Sequence, residues 1–257
     1  MIDPFHLEAY GETTVNYNRD VEIFPVLNTI FEKIYGESPY KSPTDMGVNM
    51  AGNCICDDEV CREASKQEII RRYYAALNAL VKGDSSEKEA EKIELLMNMA
   101  GITVADRRVA VEAQNRAKET GGPAAALELD DGRIITGKTT NLLGASAALL
   151  LNVLKDLAGI DHEKHIISPE SIEPIQKLKV DYLKSKNPRL HTDEVLIALS
   201  ASAASNPEAR LALSQLPKLD GCQAHTSVML SDVDIKIFKK LGVQLTCEAV
   251  YEHILLS

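Results

Sequence analysis

Residues 126–136 read ALELDDGRIIT, and this stretch decides the fold class of the chain. Two short runs rich in apolar residues, at 126–129 and 133–136, flank the sequence Asp130-Asp131-Gly132. Extended runs on either side of an Asp-Gly turn are typical of a β-hairpin. The hairpin follows a long region of helical periodicity and opens a region in which strands and helices alternate. The sequence therefore predicts an α/β (α+β) protein with a helical part before the hairpin.

Upstream of the hairpin, the pattern predicts helices near 21–35, 57–82 and 87–100, and another that ends near 119. Two capping boxes are predicted, one pairing Ser86 with Glu89 and one pairing Thr103 with Asp106. The run Gly121-Gly122-Pro123 then breaks the helical pattern. We therefore divide the chain into a polar segment (1–20), a helical subdomain (21–120) and an α/β domain (121–257).

Downstream of the hairpin, the same reasoning predicts helices near 142–158, 169–180, 193–205, 207–216 and 232–241. Asn206, followed by Pro207, is the predicted cap of the helix at 207–216, and Ser231 with Asp234 caps the helix at 232–241. Strands are expected at 165–168, 226–230 and 244–248. This order favours a three-layer αβα sandwich with a mixed sheet.

The order hairpin, helix, strand, helix resembles the cytidine-deaminase fold. That chemistry needs His or Cys at the starts of two helices to bind zinc. The predicted helix starts, 144–147 and 168–172, contain neither residue. We therefore expect this topology without the zinc site.

The composition excludes several classes of function. The 257 residues carry a formal net charge of -10, which disfavours binding to nucleic acid or to an anionic membrane. No apolar run approaches the ~20 residues that span a bilayer, and the N-terminus does not resemble a secretory signal. The five cysteines are odd in number and irregular in spacing, which indicates reduced thiols. We expect a cytoplasmic protein.

Two motif matches conflict with their surroundings. Residues 132–139 fit the phosphate-loop pattern GxxxxGK[ST], but two consecutive isoleucines favour an extended strand over a loop that wraps around phosphate. Cys54, Cys56 and Cys61 lack the second cluster that a zinc site needs, so we predict no metal site and no structural zinc.

The polar opening is the strongest candidate for a site, since it crowds acids, amides and a guanidinium into a short tract. His6 and Glu12 are the candidate catalytic acid–base residues. The candidate ligand-binding residues in the same tract are Asp3, Thr13, Asn16, Asn18 and Arg19. A segment tied down by its own hydrogen bonds would explain the same composition.

Three further loops add candidate ligand-binding residues. The turn-rich loop 42–49 contributes Asp45 and Asn49. Lys138 and Thr139 precede a predicted helix, where an anion is favoured. In the third loop the candidates are Asn187, Arg189 and His191. An ordinary turn and helix cap would also account for this third loop. The expectation is that these distant tracts meet around one hollow.

Several long tracts carry a family resemblance: MIDPFHL (1–7), YGETTVNYNRD (10–20), SPTDMGVNM (42–50), EASKQEIIRRYY (63–74) and NPRLH (187–191). These tracts resemble the bacterial family called domain of unknown function 1846. The resemblance implies relatives about twice this length, with an N-terminal α/β half that holds a phosphate-loop-like segment. It also implies that this chain corresponds to the C-terminal half of the family pattern.

Two functional hypotheses follow. The first is the C-terminal half of a nucleotide- or phosphometabolite-dependent enzyme, with Arg19, Lys138 and Arg189 as anion ligands. The sequence does not identify the cofactor of this enzyme, and the candidate is a nucleotide with Mg²⁺. The alternative is a non-catalytic module for ligand sensing or oligomerisation. The expected partners are a small phosphorylated ligand, the missing N-terminal half or a partner chain, and further copies in a homo-oligomer.

Overall fold

The structure is a computed structural model, and it describes residues 18–39 and 58–252 except for the side chains of residues 18–22, 58–62, 65 and 169. The chain divides into two compact units, Met1–Arg107 and Arg108–Ser257. Among the described helices, none combines the length and the apolar character needed to cross a membrane.

The first unit is helical in the part that the structure describes. Its helices are α1 (Asn18–Tyr35), α2 (Asp58–Lys82) and α3 (Glu87–Ala100), followed by a 3-10 turn at Val104–Asp106. Its buried side chains come mainly from α2 and α3, which pack against each other, and include Ile69, Ile70, Tyr74, Leu96 and Met97. The predicted helices near 21–35, 57–82 and 87–100 are therefore confirmed, with no end differing by more than three residues.

The two predicted capping boxes have different outcomes. The Asp106 carboxylate accepts from the backbone N–H of Thr103 (2.8 Å) and from its hydroxyl (3.0 Å), as expected. The box between Ser86 and Glu89 is wrong. The Ser86 side chain makes no capping hydrogen bond, and Glu89 instead accepts from the hydroxyl of Ser85 at 2.7 Å.

The second unit is a mixed α/β fold. Its elements are α4 (Arg108–Thr120), β1 (Ala124–Glu128), β2 (Ile134–Lys138), α5 (Ala145–Leu157), α6 (Pro169–Lys177), a π-helical turn (Leu178–Tyr182), α7 (Thr192–Ser202), α8 (Pro207–Leu213), a 3-10 turn (Leu216–Leu219), β3 (Gln223–Thr226), α9 (Asp232–Lys240) and β4 (Gln244–Cys247).

The four strands form one mixed sheet in the order β2-β1-β3-β4. Strand β1 is antiparallel to both β2 and β3, while β3 and β4 are parallel. The hairpin is confirmed, because β1 and β2 pair around a turn in which Gly132 has a φ of 80°. Residues 134–138 lie in the ladder, so the rejection of a phosphate loop there is also confirmed.

Helices cover both faces of the sheet. On one face, Val109 and Ala113 of α4 pack against Ala126. On the other face, Ala125 and Leu127 join a larger core built with α5, α7, α8 and α9, whose buried members include Leu149, Leu150, Leu154, Leu199 and Phe238. Alternate residues of β1 thus serve opposite faces, as the period of a strand requires.

Helix α4 lies in the second unit because its buried side chains pack on the sheet. The sequence pattern predicts this helix as part of the helical subdomain, with the boundary after it, at Gly121. The contacts divide the chain earlier, between Arg107 and Arg108.

The strand predicted at 165–168 is wrong. Ile166 and Ile167 are buried, which explains the apolar signal, but they lie in a bend of the chain rather than in a strand. The carbonyl of Ile166 accepts from the side-chain amide of Asn206 (3.4 Å) instead of from a strand. The third strand also lies earlier than predicted, at Gln223–Thr226 rather than at 226–230.

Candidate functional site

Strands β2, β3 and β4 all end at the same edge of the sheet, and helices α5, α7 and α9 begin near this edge. The register places Lys138, at the end of β2, beside Ala124, and it places Thr226 and Cys247, at the ends of β3 and β4, beside each other. Since Ala125 faces Thr226, all of these residues lie at the same edge. The chain leaves this edge to begin α5 and α9. Ligands of open α/β sheets bind at such carboxyl ends.

Main-chain hydrogen bonds bring the start of α7 to the start of α5. Leu143 and Leu190 form an isolated parallel bridge. The N–H of Leu190 donates to the carbonyl of Leu142 (2.9 Å), and the N–H of Gly144 donates to the carbonyl of Leu190 (3.2 Å). Because Gly144 caps α5 and His191 caps α7, two of the predicted polar tracts lie next to each other.

His191 and Asp234 form a dyad between the starts of α7 and α9. The Nδ1 atom of His191 lies 2.9 Å from Oδ2 of Asp234. The carboxylate is buried, while 31% of the His191 side chain remains exposed. The two residues are 43 positions apart in the sequence. Asp234 thus connects a histidine at the protein surface to the interior of the second unit.

Four donors satisfy the Asp234 carboxylate. Oδ1 accepts from the N–H and from the hydroxyl of Thr192, each at 2.9 Å. Oδ2 accepts from His191 and from the hydroxyl of Ser231, the latter at 2.7 Å. Burial acts to raise the pKa of Asp234, but the hydrogen bonds from His191, Thr192 and Ser231 outweigh burial and lower the pKa to about 2. The carboxyl is therefore ionised at neutral pH.

The ionised carboxylate fixes the tautomer of His191. A carboxylate only accepts hydrogen bonds, so Nδ1 of His191 must carry a hydrogen. In the neutral imidazole, Nε2 is then the basic nitrogen. No hydrogen bond or ion pair engages Nε2 among the residues that the structure describes. The bond to Asp234 raises the pKa of His191 above 6.5, while partial burial and the charge of Lys179 act to lower it. This geometry suits a general acid–base group.

A partly buried ion pair between Lys179 and Glu194 supports the start of α7. The Glu194 carboxylate accepts from the backbone N–H of His191 and from Nζ of Lys179, each at 2.8 Å. Lys179 lies in the π-helical turn, and its Nζ atom also donates to the carbonyl of Arg189 (2.6 Å). Glu194 and Lys179 therefore hold the backbone on both sides of Leu190 in place.

The described site residues that the sequence predicted lie on these loops, but only His191 joins the dyad. Asn187 accepts from the N–H of Arg189 (3.1 Å), so it stabilises its own turn. The guanidinium of Arg189 is paired with Glu252 at 2.5 Å. Lys138 is exposed at the end of β2, and the N–H of Thr139 donates to the carbonyl of Pro123. The ligand-binding roles of these residues stay predictions.

The other predicted site residues fall in parts of the chain that the structure does not describe. These residues are Asp3, His6, Glu12, Thr13, Asn16, Asp45 and Asn49. Asn18 and Arg19 lie in the first turn of α1 rather than in the expected loop, and their side chains are also outside the description. Whether these tracts meet the loops of the second unit stays a prediction.

Sequence reasoning missed the partners of His191. The pair Ser231 and Asp234 was predicted only as the cap of α9, and that role is confirmed, since the Ser231 hydroxyl accepts from the N–H of Asp234 (3.3 Å). The second role of Asp234 depends on the tertiary contact with His191. No local sequence pattern around His191 or Asp234 predicts that contact.

Metal binding has no support in the described part of the chain, where no group of three or more His, Cys, Asp or Glu side chains is placed to hold an ion. Cys54 and Cys56 lie outside the description, as does the side chain of Cys61. His191 already uses Nδ1 for Asp234, so it would offer at most Nε2 to a metal.

Comparison with known proteins gives matches to two family models. Residues 105–256 match the model described as "Domain of unknown function DUF1846, C-terminal". Residues 1–101 match the model described as "Domain of unknown function DUF1846, N-terminal". The expectation that the chain corresponds only to the C-terminal half of the family pattern is therefore corrected, because its helical part matches the N-terminal model.

Similar curated proteins occur in several bacteria. A UPF0371 protein of Corynebacterium urealyticum is 59% identical over 251 residues, which is 98% of this chain and 50% of the relative. A UPF0371 protein of Corynebacterium efficiens is 58% identical, and one of Streptococcus pneumoniae is 55% identical. Each of these two matches covers 98% of this chain and 51% of the relative. The chain thus spans about half the length of the curated relatives that it matches.

Proposed function

Since the chain belongs to the family of the domain of unknown function DUF1846 and spans about half the length of its curated relatives, we propose that it supplies the acid–base centre of a larger enzyme. The proposed substrates are nucleotides or other phosphorylated metabolites. His191 is the proposed general acid–base residue, and Asp234 is the residue that positions it.

The state of the His191 ring carries this proposal. Asp234 orients the imidazole and holds the hydrogen on Nδ1, which leaves Nε2 as the nitrogen that exchanges a proton with a substrate. Buried carboxylates orient catalytic histidines in the same way in other enzymes. A raised pKa keeps the protonated form accessible near neutral pH, so the ring can serve as base or as acid.

Positive groups at the same edge support a phosphorylated substrate. Helices α5, α7 and α9 begin near this edge, and the N-terminus of a helix carries a partial positive charge. Lys138 is exposed at the end of β2. Arg189 would add a second cation only after exchanging its partner Glu252 for the phosphate.

We further propose that the second unit has the cytidine-deaminase topology without its zinc site. The strand order, with β1 antiparallel to both neighbours, supports this assignment, as do helices that follow β2 and β3. In the comparison with the deaminase fold, the second helix that would bind zinc follows the third strand. Because that strand is Gln223–Thr226, the corresponding helix start is at Ser231 and not at 168–172. Neither 144–147 nor 231–234 contains Cys or His.

A specific observation favours the non-catalytic alternative. All of the donors to Asp234 come from the starts of α7 and α9, so the same contacts would serve as a structural tie between those helices. In that case His191 would stabilise the unit, and the exposed Nε2 would have no role.

Ligand titration followed by NMR distinguishes the enzymatic assignment from the non-catalytic one, with this chain co-expressed with the portion of the Corynebacterium urealyticum relative that lies outside the match. The probes are AMP, Mg-ATP, a sugar phosphate and inorganic phosphate, and the signal is the side chain of His191. We expect one of the organic phosphates to shift this signal and to be turned over. His191→Gln should then lower turnover by about 10²–10⁴-fold while binding changes little. His162→Gln, at an exposed histidine in a charged turn, is the control. If no probe shifts the His191 signal at millimolar concentration, the enzymatic assignment is wrong.

A further inference from the structure

One side of helix α1 lines a cavity shared with α3. Phe24, Asn28 and Glu32 recur every four residues and face Met99 and Ala100 of α3 across a cavity of about 600 Å³. Residues four apart share one side of a helix. This side of α1 is therefore directed towards the neighbouring helix of the first unit.

A second set of side chains lies on a different side of α1. Val26, Ile30 and Ile34 also recur every four residues, and they are 60%, 44% and 64% exposed. We call these three residues the α1 stripe. Val26 follows Phe24 by two positions, which corresponds to about 200° around the helix axis. The α1 stripe is therefore turned away from α3.

An exposed row of large aliphatic side chains on a surface helix marks a surface that packs against something else. The curated relatives contain further residues that are available to cover this surface. The α1 stripe lies within residues 1–101, which match the N-terminal family model. The relatives match this chain over 98% of its length and continue for about as many residues again.

We propose that the α1 stripe is the docking surface for the half of the family's protein that this chain does not span. The occupant offers an apolar surface of its own and packs against Val26, Ile30 and Ile34. This proposal concerns the first unit alone and does not depend on the acid–base role of His191.

The probe is the portion of the Corynebacterium urealyticum relative outside its 251-residue match, co-expressed as a separate polypeptide with the full chain. We expect a one-to-one complex in light scattering. Val26→Lys combined with Ile34→Lys should weaken its dissociation constant by about tenfold or more. Both positions are more than half exposed, so lysine should be tolerated in the fold. Ala75→Lys, at an exposed position on α2, is the matched control and should bind normally.

A labelling measurement keeps the test independent of the double variant. The thiol of Ile34→Cys should react with a maleimide readily in the free chain and much more slowly in the complex, whereas Ala75→Cys, on α2, should react at the same rate in both. The proposal is overturned if no complex forms or if the two lysines leave its dissociation constant unchanged. It is also overturned if the chain instead forms a homodimer that the lysines disrupt. The last result would assign the stripe to a second copy of this chain.

Discussion

At the scale of single residues, Asp234 determines the properties of the site. It is buried, ionised and satisfied by donors from Thr192, Ser231 and His191. An ionised group is stable in such surroundings only because its partners replace the hydrogen bonds that water would provide. Removing one partner should therefore have consequences for the fold as well as for the imidazole.

The free energy of unfolding should depend on pH through this dyad. The pKa of His191 is raised above 6.5 by its bond to Asp234, so its contribution is fully present below pH 6.5 and is lost as pH rises through the folded-state pKa. The pKa of Asp234 falls from 3.8 to about 2, so its contribution is lost as pH falls below 3.8. Urea unfolding of the wild type and of His191→Gln should therefore differ most between pH 3.8 and 6.5.

The matched control for that experiment is His165→Gln, at an exposed histidine of the same unit. Its difference from the wild type should be small, because the side chain is exposed. A His191→Gln difference that grows above pH 7 would contradict the direction of the pKa shift.

At the scale of secondary structure, the elements set by local chemistry were predictable and those set by tertiary contacts were not. The Asp-Gly turn gave the hairpin, and Asn206, followed by Pro207, gave the start of α8, where the Asn206 side chain accepts from two backbone N–H groups. The strand predicted at 165–168 is wrong because a short apolar run has the same sequence pattern in a strand and in a buried loop. The hydrogen bond between His191 and Asp234 could not be predicted, because no sequence pattern around either residue indicates the other as its partner.

The close approach of β2 to α5 depends on Gly137. A Cβ atom at this position would lie 2.2 Å from the backbone nitrogen of Leu149 and 2.9 Å from the carbonyl oxygen of Ala145. Backbone cannot yield as a flexible side chain can, so Gly137→Ala should force α5 away from the sheet. We expect a loss of about 2–3 kcal/mol in urea unfolding, as for other overpacked interiors.

Gly122→Ala provides the comparison for that substitution. Nothing lies within 4 Å of a Cβ atom at Gly122, so the change should be nearly neutral. Equal stability of the two variants would show that β2 and α5 are less closely packed than described.

At the scale of the whole molecule, the described parts of the two units differ in the size of their apolar cores. The second unit has a continuous core on one face of its sheet and a smaller cluster under α4 on the other. The described buried side chains of the first unit come mainly from α2 and α3. Both units leave large apolar side chains exposed, such as Val26 and Ile34 in the first and Tyr182 and Ile197 in the second. The family models divide the chain at nearly the same place as its contacts do.

Residues 108–257 should therefore fold when produced alone. We expect a monomer with one cooperative thermal transition by circular dichroism and a dispersed NMR spectrum. Residues 1–107, produced as the comparison, should melt at a lower temperature and associate through exposed apolar surface. A second unit that unfolds without cooperativity on its own would contradict this division of the chain.

The most direct test of the central claim is an NMR titration of the His191 imidazole in the full chain and in Asp234→Asn. In the wild type, we expect a pKa above 6.5, a hydrogen on Nδ1, and Nε2 as the nitrogen that gains the proton. In Asp234→Asn, the pKa should fall, and the signals of neutral His191 should indicate a mixture of tautomers. Equal pKa values in the two proteins, or a neutral wild-type ring with its hydrogen on Nε2, would contradict the claim that Asp234 prepares His191 for acid–base chemistry.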